Sequence, residues 1–193
     1  MLVNPLPPSG VAELVGLETR DVLTFLTSVQ SLLILDEDHT KPVKPFHKSF
    51  PDFITNPTRC TDTRFYISPG SLHFELAISC LRVMNEGLEQ NLLSIPNYAL
   101  SSDVEGLPMR IQDRISVVLR YACQFWHGHL TMAREDVTDI ISRLRIFLEV
   151  KFLAWLEVVS ALGVTRQAAE ALEKLVLWLQ KVSSGLLRSG ARF

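Results

Sequence analysis

From Ser68 onward, apolar residues return every three or four positions, and this spacing confines most of the chain to packed helices. The clearest stretch runs from about Leu72 to Leu93. His73, Leu76, Ala77, Cys80, Leu81, Met84 and Leu88 share one face, while Arg82, Glu86, Glu89 and Gln90 fall elsewhere. A second helix is predicted from about Met109 to Leu130, with Ile111, Ile115, Val118, Leu119, Ala122, Phe125, Trp126 and Leu130 inward. A third runs from about Val137 to Glu149 and can continue through Lys151 to Leu162, where Gly163 has the place of a C-cap. The last spans Arg166 to Leu179, with Ala169, Leu172, Val176 and Leu179 inward. Trp126 and Trp155 read as structural anchors, and Cys80 as a small core residue. Ser68-Pro69-Gly70-Ser71 marks a turn and cap, SIPNYALSSDVEGLP a loop, and residues 183–193 a flexible tail. The helices of this domain, residues 67–182, are expected to stack as hairpins or a short superhelix, although no strict repeat period is present.

The first third differs. Residues 1–10 form a Pro-rich lead read as irregular. Residues 11–66 have the order of a small winged helix. Val11–Gly16 and Glu18–Ser28 are short helices, the second with Val22, Leu23, Phe25, Leu26 and Val29 on one side. SLLILDED is a β-like run ended by acids, and Val43 to His47 is its returning strand. The fold class expected is therefore mainly α, with a winged-helix unit in front. PFHKSFPDFI, at the joint, packs three phenylalanines and a histidine into ten residues. Ser49 is placed to cap a short helix opened by Pro51 and Asp52. Phe46, Phe50 and Phe53 then recur at helical spacing as anchors, with His47 before the helix start.

Composition narrows the function. Nineteen basic residues against 21 acidic ones give a formal net charge of -2, without the basic excess that phosphate backbones select. The second helix offers only Arg20 beside Glu18 and Asp21, and Asp36, Glu37 and Asp38 crowd the wing, so nucleic acid is not an expected partner. Three scattered cysteines without a C-x-x-C pair argue against a disulfide framework or zinc site and for a reducing, cytoplasmic setting. His127 and His129 flank Gly128, but no further ligand stands at suitable spacing, so no metal is assigned. No apolar run is long enough to span a membrane. SLLILDED mimics a Walker B strand, yet no G-x-x-x-x-G-K-[ST] loop accompanies it. No Ser-His-Asp motif, nucleophile elbow or carboxylate pair is visible, and no residue is assigned a catalytic role.

Taken together, several segments resemble fungal STAND proteins of the NACHT class, large switch NTPases often carrying WD repeats. VAELVGLETRDVLTFLTSVQSLLIL resembles the winged-helix opening of that family, and PFHKSFPDFI its His-x-Ser-Phe-x-x-Phe closing segment. HFELAISCLRVMNEGLEQNL, LRYACQFWHGHL and FLEVKFLAWLEVVSALG resemble segments of its following helical region, so the likeness covers roughly residues 11–180. The resemblance implies that His47 occupies the position reaching the β-phosphate of ADP, which keeps such proteins closed. Pro51 departs from the polar residue more frequent there. The chain is then expected to be a truncated or fragmentary member with no Walker motifs of its own. It would bind ADP or ATP-Mg only when a NACHT module is supplied in cis or in trans, and would meet other proteins through its helices. The alternative is a free-standing helical protein–protein interaction module without nucleotide dependence, using the groove between the helices of residues 72–180, which needs an apolar concave surface with exposed aromatic anchors such as Trp126 or Trp155.

Overall fold

The computed structural model describes residues 2–95, 104–134 and 138–189. The chain is mainly helical, and the only sheet among the described residues has two strands. Helices α1 (Pro8–Val15) and α2 (Thr19–Ser28) are followed by a 3₁₀ turn and by strands β1 (Leu33–Ile34) and β2 (Lys44–Pro45). These strands pair antiparallel, Leu33 opposite Pro45 and Ile34 opposite Lys44. Helix α3 (Ser49–Ile54) closes this part. The body comprises α4 (Pro69–Gly87), α5 (Leu107–Arg114), α6 (Val117–Met132), α7 (Thr138–Ile146), α8 (Phe152–Ala161) and α9 (Thr165–Ser189).

Local chemistry explains most boundaries. Ser68 accepts a hydrogen bond from the Ser71 amide, and Pro69 supplies the first-turn φ of α4. Gly16 ends α1 in the left-handed region at φ 74°, a conformation glycine enters without a Cβ clash. Gly163, at φ 70°, ends α8 as its position suggested, and the Val164 amide reaches back to the Val159 carbonyl in a Schellman closure. The long helix read from about Val137 through Lys151 to Leu162 is continuous over residues 138–161, with one π-helical segment, Phe147–Lys151, inserted.

Several expectations are corrected. The helix read over Met109–Leu130 is two helices. Ile115 is extended and fully buried, and the Ser116 hydroxyl accepts from the Leu119 amide 3.1 Å away, restarting the helix as α6. The helix read to Leu93 stops at Gly87. The Leu88–Ser94 segment is then pinned from outside: Glu157 accepts from the Asn91 and Leu93 amides, and Lys151 donates to the Leu88 carbonyl. α1 begins at Pro8, inside the lead read as irregular, and Leu6 is buried in the large core. α9 continues to Ser189, into the segment read as a tail.

The core lies between α4 and α6, its most extensive pairing, with α7, α8 and α9 closing around them. Trp126 and Trp155 stand at its centre, 1% and 0% exposed, edge to face, with Phe147 against both rings. Trp155 Nε1 donates to the Cys123 carbonyl at 3.0 Å, which satisfies the buried indole. Each large buried side chain of this kind stabilises the fold by about 1.5–3 kcal/mol.

The front part owns little core: Ala12, Val22 and Leu26, flanked by partly buried Val11, Leu33, Leu35 and Val43. It is held to the body through α1. Leu14 joins the large core, and Arg82 of α4 donates to the Glu13 and Leu14 carbonyls at the end of α1.

Candidate functional site

Two histidines that the periodicity placed on separate helices meet inside the body. His73 stands in the first turns of α4 and His129 in the last turn of α6. The helices run antiparallel here, so these ends face each other. The two Nδ1 atoms are 2.8 Å apart, and His129 Nε2 lies 2.7 Å from the Tyr121 hydroxyl. The Val3 amide donates to that hydroxyl at 3.3 Å.

The chain of contacts assigns the protons. With its oxygen accepting from Val3, Tyr121 donates its proton to His129 Nε2. Neutral His129 then carries its proton on Nδ1 and donates to His73 Nδ1. His73 is left protonated on Nε2. In this arrangement both rings are neutral and each donor along the chain has an acceptor. Burial acts in the same direction, pushing His73 below the ordinary histidine range and His129 down to about 4. His127, two residues before His129 and on a different face of α6, is also lowered to about 4 by burial, with Lys174 acting in the same direction. Neither of its ring nitrogens has a hydrogen-bond partner.

His73 also borders a cleft of about 540 Å³, lined among others by Tyr66, Ser68, Gly70, Ser71 and Arg134. Gly70 permits the close approach that shapes it, since a Cβ there would lie 3.0 Å from Arg134 Cβ. The nearby thiols are not nucleophiles. Burial raises the Cys80 thiol to about 12 and pushes Cys123 up as well. All three cysteines are free thiols. Among the described residues, no three His, Cys, Asp or Glu side chains gather as a metal site.

His47 stands apart from this group, exposed, just before α3. Ser49 does not cap the helix. Lys48 holds the cap position without a side-chain bond, and the His47 ring serves instead: the Ser49 amide donates to Nδ1 at 3.2 Å, and the Ser49 hydroxyl lies 2.8 Å from the same atom. With Nδ1 accepting, the neutral ring keeps its proton on Nε2, the tautomer that can donate to an external acceptor.

The phenylalanine anchors are corrected by the same region. Phe46 is 71% exposed and Phe53 40%, Phe50 is half-buried, and Pro51 is the buried residue of α3. The cause is the small hairpin. Two residues per strand leave no sheet face to cover Phe46, whose backbone is nevertheless fixed by its bond to the Leu32 carbonyl. The Arg59 guanidinium lies over the Phe53 ring, 5.8 Å from its centre. Phe25, read as inward, points out of α2 at 66% exposure, so Val22 and Leu26 alone bury that helix. Trp126 and Trp155, by contrast, anchor the body.

The buried pair was not found from sequence. A signal existed: Tyr121 and His129 lie eight residues apart, on one face of a helix. Only the antiparallel register brings His73 to them. No described helix is long and apolar enough to cross a membrane. The chain matches no protein-family model, no curated protein and no solved structure.

Proposed function

We propose that the chain is a non-catalytic regulatory and scaffold segment of a STAND switch protein of the NACHT type. In this reading residues 11–66 act as a winged helix that docks on a NACHT NTPase module, in cis or supplied by another chain. His47 donates from Nε2 to the β-phosphate of ADP held by that module. The helical body links the module to a sensor. Nucleotide and Mg²⁺ belong to the module, because one histidine cannot replace the several donors and the metal that hold a phosphate chain.

The observation that carries the reading is where aromatic surface is left uncovered. Phe25, Phe46, Phe53 and Phe65 are the exposed phenylalanines among the described residues, and all precede α4. Phe46 adjoins His47. The body exposes aliphatic side chains such as Val150 and Leu153 as well, but its phenylalanines are covered; exposed apolar surface serves docking where it is contiguous. A free-standing module anchored by Trp126 or Trp155 finds no support, since both rings are spent on the core.

The test is sedimentation of the purified chain with a fungal NACHT module in ADP. The expected result is a one-to-one complex that Phe46→Ser weakens by about tenfold or more, roughly 1.4 kcal/mol, at an unchanged unfolding midpoint. Absence of association, or tight ATP binding by the chain alone, contradicts the proposal.

A further inference from the structure

We infer that the His73–His129 pair is a proton-operated latch fastening the first turns of α4 to the last turn of α6. The geometry gives it two states. In the neutral state a single proton lies between the two Nδ1 atoms, and Tyr121 both accepts and donates. A second proton has no place in that arrangement. It sets two N–H groups against each other across 2.8 Å, or it turns His129 to donate from Nε2 and leaves the Tyr121 hydroxyl proton without an acceptor. His129 is fully buried and has no way out. His73 borders the cleft, so its charged ring escapes there and the bond to His129 breaks.

The surroundings do not rescue the charge. α4 brings Cys80 toward the phenol, and α6 brings Tyr121 and His127 toward His129. Arg134 lines the open side of His73. Among the described residues, no carboxylate acts on either imidazole.

The opening lies at the seam where the front part enters the body. Tyr66 and Ser68 line the same cleft, and the Ile67 amide is bonded to the Ile54 carbonyl of α3. Protonation therefore loosens the joint between α3 and α4 while leaving the Trp126–Trp155 core closed.

Amide hydrogen exchange on the full chain, read together with imidazole nitrogen shifts, tests this. Between about pH 7 and about pH 5, amides of residues 71–74 are expected to exchange at least about tenfold faster after correction for intrinsic chemistry. That rise follows the His73 titration, and α8 stays protected. His73→Gln/His129→Gln removes the pH dependence. If that variant does not fold, the wild-type measurement decides alone. Titration of His73 without any change in protection overturns the latch, as does a pair that stays neutral across the whole range.

Discussion

Tyr121 has one hydroxyl and two jobs, accepting from Val3 and donating to His129. Tyr121→Phe leaves a buried imidazole nitrogen without its donor, and should lower stability by about 1–3 kcal/mol in urea unfolding near neutral pH. The pH dependence follows from the sign of the shifts. Both imidazoles of the pair lie below their ordinary 6.5 in the folded chain, His129 at about 4. The stability gained by keeping them neutral is complete above the unfolded-state value. It is lost as pH falls from there toward the folded one. The urea midpoint should thus fall as pH drops from about 6.5 toward about 4. A flat profile contradicts the buried-neutral assignment. Sequence showed that His73 shares a face with Leu76, Ala77 and Cys80, but a face does not name the partner opposite. At His47 the place before a helix start was legible, and a neighbouring backbone group, the Ser49 amide, satisfies its Nδ1 as such a place suggests.

Elements divide along the same line. Those ended by a local device could be read: Ser68 opens α4, and Gly163 closes α8. The break between α5 and α6 was missed because Ile115 keeps the apolar spacing through it. Ser116→Ala should cost about 1 kcal/mol by removing the cap that restarts α6. Gly163→Ala should cost about 1–2 kcal/mol, since an L-residue at φ 70° meets its own carbonyl. Thermal unfolding of the two single variants checks both. The hairpin shows the opposite failure. SLLILDED has enough β-branched and leucine character for a strand, yet only Leu33–Ile34 pairs, because Gln30–Leu32 turns as a 3₁₀ segment first.

On the scale of the molecule, the body and the front part are stabilised differently. The body has its aromatic centre, and Trp155→Ala should destabilise it by about 3–5 kcal/mol, a loss readable in chemical denaturation. The front part has a separate core cluster of only Ala12, Val22 and Leu26, and relies on α1 and Arg82 for its hold. Its uncovered phenylalanines make sense if its remaining surface is completed by a partner. Calorimetric titration of ADP into the chain mixed with a NACHT module, repeated with His47→Ala, asks this directly. The account predicts that the mixture retains ADP, that the chain alone does not, and that His47→Ala weakens retention by about tenfold or more, roughly 1.4 kcal/mol. Equal ADP affinity for wild type and His47→Ala, or tight nucleotide binding by the isolated chain, would contradict it.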